Sequence, residues 1–194
     1  MTQTQTPLRV VTINGSYSSP SKTGAIIDLV TETLADHFPI VTTVLNLSDL
    51  RHDYALALTP EDATETAQAA FRAVENADLI VAGSPVFKGS YSGLFKHFFD
   101  LLDTYALANK PVFLVATGGS ERHALVIEHA LRPLFGFLQA HVAPVGIYAT
   151  AGDFDGTLIL NPEVYARTQT AVADLLPLLR QYTVEAEPKV LAQP

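Results

Sequence analysis

Apolar residues in this chain fall into short unbroken runs, each closed by a polar or glycine-bearing connection and most followed by a stretch of helical period. Residues 10–13, 79–82 and 111–116 are almost wholly apolar, which is how a strand buried on both faces reads; a half-exposed strand alternates instead. Residues 40–47, rich in Val, Thr and Leu, and residues 142–148 add two more strands. Between the first two runs Ile26, Ile27, Val30 and Leu34 recur at the helical spacing. Thr59-Pro60-Glu61-Asp62 reads as a helix start, with proline at the first position and acids in the first turn of a helix reaching about residue 76. Leu94, Phe95, Phe98, Leu101 and Leu102 form the inward face of the next helix, and further helices are expected over 123–138 and 162–180. Residues 48–58 read as a mixed connection and 149–161 as a loop. The pattern predicts one domain over 1–182 and a mobile tail over 183–194.

Strands alternating with helices imply parallel pairing and a three-layer α/β sandwich. Right-handed crossovers leave few topologies, and at this length the simplest is a five-stranded flavodoxin-like sheet in the order 2-1-3-4-5. Ligands of such sheets lie outside the carboxyl ends of the strands near the switch point. The connections after strands one, three and four therefore converge on one place.

The first connection holds Ser16, Ser18, Ser19, Ser21, Lys22 and Thr23 at the start of a helix. Unpaired N–H groups and the positive end of the helix dipole make such a place an anion site. The loop lacks G-x-G-x-x-G, and Pro20 stands at the second glycine position of a P-loop, so neither dinucleotide nor nucleoside-triphosphate cradles fit. Short hydroxyl donors with one lysine suit a single terminal phosphate. A helix cap on a polar turn has the same composition. The second connection, residues 85–93, joins Phe87 and Tyr91 with Gly89 and Gly93, rings for a flat ligand and backbone that lets it approach. The third, Thr117-Gly118-Gly119-Ser120, offers backbone donors with little side-chain bulk. A phosphate site, an aromatic wall and a backbone-lined slot in one crevice match the three parts of FMN.

A formal charge of -8 and no basic stripe argue against nucleic acid, and the absence of cysteine excludes disulfides, thiolate metal sites and thiol catalysis. No apolar run reaches spanning length, so a soluble cytoplasmic protein without membrane contact is expected. His123 and His129 lie six apart, on different faces of a straight helix, and no H-E-x-x-H is present, so no metal is expected. Tyr91, not Ser, is central in Gly89-Ser90-Tyr91-Ser92-Gly93, which removes the hydrolase elbow.

The patterns G-S-x-x-x-x-S-x-T at Gly15, G-S-P-V-F-K-G-S-Y-S-G-x-x-K at Gly83 and A-T-G-G-S at Ala116, with His123 following, resemble the NAD(P)H-dependent FMN reductases. The likeness covers about residues 9–149 and is greatest to the branch serving two-component alkanesulfonate and methanesulfonate monooxygenases. It implies that Ser16, Ser18, Ser21, Lys22 and Thr23 hold the FMN phosphate. It implies further that Pro85, Val86, Phe87, Lys88, Gly89, Ser90 and Tyr91 line the ring and ribityl chain, and that Thr117, Gly118 and Gly119 meet the isoalloxazine edge. The first loop departs from the usual G-S-x-R, Ser18 and Ser19 standing in the arginine region.

The segment 124–138 is apolar nearly all round, and Pro133 within it should disturb the helix. An oligomer interface accounts for the excess apolar surface, and the resemblance implies a tetramer built through this helix. It also implies a π-bulge at His129, with a possible flavin-transfer role for that residue beside the plain reading of an interface histidine. Hydride transfer from NAD(P)H to flavin asks for no dedicated acid or base. The expected activity is NAD(P)H:FMN oxidoreduction that supplies reduced FMN to a partner flavin-dependent monooxygenase. The rivals are an azo or quinone reductase that retains FMN, and a flavodoxin-type electron carrier.

Overall fold

The computed structural model describes residues 6–183. The expected tail over 183–194 lies, apart from Thr183, outside the described residues. Strand β1 (Leu8–Asn14) leads into helix α1 (Lys22–Ala35), then β2 (Ile40–Asn46), α2 (Leu47–Tyr54), α3 (Glu65–Glu75) and β3 (Leu79–Pro85). Helix α4 (Gly93–Asp100), β4 (Pro111–Gly118), a π-helical turn (Ile127–Leu131) and α5 (Arg132–Phe137) follow. The chain closes with β5 (His141–Val142), β6 (Ile147–Thr150), a hairpin of β7 (Phe154–Asp155) and β8 (Leu158–Ile159), and α6 (Pro162–Thr183).

The sheet runs β2-β1-β3-β4, with β5 and β6 both on β4, and every pair in it is parallel. This is the expected flavodoxin-like order, the fifth strand being interrupted. The unbroken apolar runs have their reason in the two cores. Val11 and Ile13 of β1 and Ile80 and Ala82 of β3 enter one core with α2, α3, α4 and α5. Leu8 and Val10 with Leu79 and Val81 enter the other, with α1 and α6. At the edge, β2 leaves residues 41–44 exposed, as none of the described elements covers them.

Four local expectations change. Residues 47–54 form α2, although few of them are apolar, because Leu47 and Tyr54 at its ends are buried and the Tyr54 hydroxyl donates to Leu94 O at 3.2 Å. The helix expected from residue 59 is two pieces. Asp62 Oδ2 accepts from the backbone N–H of Leu58 and Thr59, closing one tight turn; Ala63 is extended, and Thr64 caps α3. The fifth strand breaks at 143–146. From Val112 to Val115 β4 advances three residues while its neighbour advances five, from Val142 to Ile147. Pro144 has no N–H for the ladder. Arg132 donates instead to Ala143 O and Pro144 O at 2.9 and 3.1 Å. Finally, the hairpin β7–β8 occupies the expected loop over 149–161.

The expected single helix over 123–138 begins with a 3-10 turn and widens at the π turn, where the Arg132 N–H reaches back five residues to Ile127 O. Pro133 follows at once. It lacks an N–H and its ring crowds the carbonyl four residues earlier, so a regular turn there would be both unpaired and strained. The widened turn accommodates it, and His129 stands at its centre, where the resemblance placed a bulge.

Candidate functional site

The loops after β1, β3 and β4 are sewn into one surface by hydrogen bonds. Gly15 N donates to Gly83 O at 2.7 Å, and the buried Ser92 hydroxyl donates to Gly15 O at 2.7 Å. Val86 N donates to Thr117 O at 2.7 Å. Gly93 N donates to the Tyr17 hydroxyl at 3.0 Å, and the rings of Tyr17 and Phe87 lie 4.6 Å apart. Gly15 has to be glycine here, since a Cβ would stand 2.7 Å from the Phe95 ring.

In the first loop the fixed point is Asn14, the last residue of β1. Its Oδ1 accepts from Ser16 N at 3.1 Å, while its Nδ2 donates to Ser21 Oγ at 3.2 Å and to Asn46 Oδ1 at 3.1 Å. Ser16 Oγ accepts from Ser18 N and lies 3.3 Å from Ser18 Oγ, so these two hydroxyls stand together. Ser21 caps α1, accepting from Gly24 N at 3.0 Å. Lys22 reaches away from the serines, its Nζ 3.4 Å from Ala151 O and 5.5 Å from the centre of the Phe154 ring. Thr23 is buried, and its hydroxyl pairs at 2.7 Å with that of Thr117. A polar recess of about 220 Å³ lies against this loop, with Asn14, Ser19, Ser21 and Asn46 among its lining.

The second loop folds back on itself between Phe87 and Ser90, whose N–H and C=O groups pair in both directions. Lys88 and Gly89 take positive φ angles of 49° and 86° in succession, the geometry of a mirror-image hairpin turn, so glycine suits the second place. Pro85 and Val86 are half-buried beneath the turn and Lys88 is exposed on it. Phe87 and Tyr91 do not pack on each other: Phe87 turns to Tyr17, and Tyr91 packs 5.9 Å from Phe95. Ser90 and Tyr91 instead border a cleft of about 670 Å³ between α4 and the π turn, which His129 also lines. That cleft is larger than the recess at the first loop, but it lies beside the converging loops rather than at them.

The third loop begins at Thr117, tied to the other two by its carbonyl and its hydroxyl. Gly118 is half-buried, and Gly119 is exposed with no atom within 4 Å of where a Cβ would stand. A flat ligand edge would therefore meet backbone there. Among the described residues no cluster of three or more His, Asp or Glu side chains is placed to hold a metal ion.

Three contributors escape a reading of the sequence. Asn14 marks only the end of a strand until its amide is seen holding Ser16 and Ser21, and Asn46 matters because strand register sets it opposite Asn14. Tyr17 is 46% exposed in a loop of small polar residues, and that contrast is the one signal the sequence offered.

The donor set is what FMN asks for: paired hydroxyls beside a helix N-terminus, a half-exposed phenyl ring, and an edge of bare backbone. Residues 8–155 match the family model described as NADPH-dependent FMN reductase. The NADH-dependent FMN reductase SfnF of Pseudomonas fluorescens (strain Pf0-1) is 42% identical over 172 residues, 89% of this chain and 92% of that one. An FMN reductase (NADPH) of Pseudomonas aeruginosa is likewise 42% identical over 172 residues, with the same coverage of 89% and 92%. Among solved structures, an oxidoreductase from Corynebacterium diphtheriae superposes with a TM-score of 0.79 at 36% identity, over 90% of this chain and 98% of that one.

Proposed function

The chain belongs to the NADPH-dependent FMN reductase family, and we propose that it reduces FMN with NAD(P)H and releases the reduced flavin to a partner flavin-dependent monooxygenase. The observation that supports release is the make-up of the first loop. Its donors are the neutral hydroxyls of Ser16, Ser18 and Ser21 and the first-turn N–H groups of α1, while the Lys22 ammonium leans toward Ala151 and Phe154. A phosphate held without a fixed guanidinium forgoes the bidentate charge-assisted pair that makes such sites tight.

Bound FMN supplies the hydride acceptor. The chain supplies orientation. Ser16, Ser18 and Ser21 surround the phosphate position with their hydroxyls, and Lys22 and Thr23 with their backbone N–H groups, because the Lys22 ammonium leans toward Ala151 and the Thr23 hydroxyl is turned to Thr117. Pro85, Val86, Phe87, Lys88 and Gly89 border the ring and ribityl chain, with Ser90 and Tyr91 closing the backbone of that turn while their side chains face the neighbouring cleft, and Thr117, Gly118 and Gly119 present backbone to the ring edge. No side chain serves as acid or base, so rate comes from holding the nicotinamide against the flavin.

The protein works as a single flavin-binding domain that assembles into a homo-oligomer, a tetramer, through residues 124–138, where Leu125 and Phe137 are 60% and 73% exposed. No helix among the described residues is long and apolar enough to cross a membrane. We place the enzyme in the cytoplasm, where NAD(P)H is kept reduced.

The test is anaerobic mixing of the purified protein with excess NADH or NADPH and excess FMN, followed by ultrafiltration. Reduced FMN in the filtrate, many times the enzyme concentration, is expected. Reduction confined to about one flavin per chain, with the excess FMN still oxidised in the filtrate, would point to an azo or quinone reductase, and nucleotide left unoxidised would point to an electron carrier.

A further inference from the structure

The turn that closes β4 has little of its own to hold it. Gly118 and Gly119 bring no side chain, and the Ser120 side chain makes no capping bond to the 3-10 turn that follows. The far end of this turn is held by the His123 N–H, which donates to Ser120 O at 3.3 Å, and more closely from the neighbouring strand. Tyr148 of β6 pairs in register with Ala116 and is 7% exposed, and its hydroxyl donates to Ser120 O at 2.6 Å. Its ring lies so close along Gly118 that a Cβ there would stand 2.2 Å from the hydroxyl oxygen and 3.1 Å from Cζ. Real side chains do not approach that closely. Gly118 and Tyr148 therefore interlock: the glycine makes room for the hydroxyl, and the hydroxyl reaches past it to the carbonyl two residues on.

The near end of the turn is fixed from other directions, Thr117 O accepting from Val86 N and the Thr117 hydroxyl pairing with Thr23. With both ends pinned, the intervening peptides are held with Gly119 facing open space. Burial raises the Tyr148 hydroxyl above its ordinary value, and the charges of Glu121 and Asp153 push the same way, so it stays protonated and able to donate across the neutral range.

We propose that Tyr148 is a positioning residue for flavin reduction, setting the backbone of residues 117–120 against which the isoalloxazine edge lies while making no contact with the flavin itself. The inference rests on the FMN reading of the crevice. It separates two parts of recognition: Tyr148 acts on the ring edge, and Ser16 acts on the phosphate. A residue that merely stabilised the fold would change how much protein is competent. It would leave the environment of the bound ring as it was.

The experiment is a titration of FMN into the parent, Tyr148→Phe and Ser16→Ala proteins, followed by flavin fluorescence and by the visible spectrum at saturation. Tyr148→Phe keeps the ring and removes only the donor. We expect it to bind FMN on the order of tenfold more weakly and to show a bound-flavin spectrum displaced from the parent's. Ser16→Ala should weaken binding and keep the parent spectrum. A saturated Tyr148→Phe spectrum identical to the parent's would overturn the proposal. If circular dichroism shows Tyr148→Phe unfolded, Gly118→Ala decides on the same terms, since its methyl displaces the same hydroxyl: a displaced spectrum upholds the inference and the parent spectrum overturns it. Parent protein that neither quenches nor shifts FMN would instead remove the FMN reading itself.

Discussion

Thr23 and Thr117, 94 residues apart in sequence, face each other across the top of the sheet with their hydroxyl oxygens 2.7 Å apart. They are 1% and 6% exposed, so the bond is sheltered and ties the start of α1 to the end of β4. Thr23→Val keeps the shape and strands the Thr117 hydroxyl, which should cost about 1–3 kcal/mol of stability. Thr23→Ser should cost much less. Chemical denaturation of the three proteins checks this, and equal midpoints would show that the bond contributes nothing.

Ser16 faces the loop rather than the sheet, with its hydroxyl accepting from Ser18 N. Removing a hydrogen bond to a charged phosphate is worth on the order of 1.5–3 kcal/mol. Ser16→Ala should therefore weaken FMN binding by tenfold or more, read by fluorescence quenching. Unchanged affinity would take Ser16 out of the phosphate site.

Leu125 and Phe137 project from the segment that carries the π turn. Light scattering at micromolar concentration should return a multiple of the 20.9 kDa chain mass, and exchanging both residues for serine should lower it. A mass near 20.9 kDa for the parent would refute assembly through this segment.

His129 lies at the centre of the π turn and lines the cleft that Ser90 and Tyr91 also border. Deleting it should narrow the turn against Pro133, at some cost in stability, and we expect the shortened protein to purify yellow with FMN retained and to turn over free FMN more slowly. A colourless variant as active as the parent would make His129 a packing residue only.

Asp78, at the approach to β3, accepts from Arg9 Nε at 3.0 Å, Arg9 Nη2 at 2.7 Å and Arg9 N at 2.9 Å. Burial works to raise its carboxyl, but the hydrogen bonds and charge of Arg9 prevail and hold it below the ordinary carboxylate value. A depressed folded pKa gives stability that is present above the unfolded value, about 3.9, and is lost as pH falls through the folded one. Asp78→Asn should therefore destabilise the protein more at pH 6 than at pH 2. Denaturation curves at the two pH values decide, and an equal loss at both would contradict the assignment.

The sheet and the convergence of its loops were legible because the central strands are buried on both faces. Val10, Val11 and Ile13, like Leu79, Ile80, Val81 and Ala82, must all be apolar when two cores share them. The converging loops followed from strand order alone. What stayed hidden depends on contacts far apart in sequence. Residues 47–54 owe their helix to buried end residues, not to periodicity. The break at 143–146 follows Arg132, which takes two carbonyls of the strand. The sequence placed Thr23 and Lys22 in the first loop, but not that one turns to Thr117 and the other to Ala151. Phe87 and Tyr91 read as one aromatic wall, whereas the turn at Lys88 and Gly89 sends them to different neighbours.

Free FMN is proposed to be what this enzyme acts on. The most direct measurement is the steady-state rate of NAD(P)H oxidation as FMN is varied from none to saturation. A negligible rate without added FMN and a hyperbolic rise with its concentration are expected. A rate already maximal without added FMN, or no oxidation at any FMN concentration, would contradict the proposal.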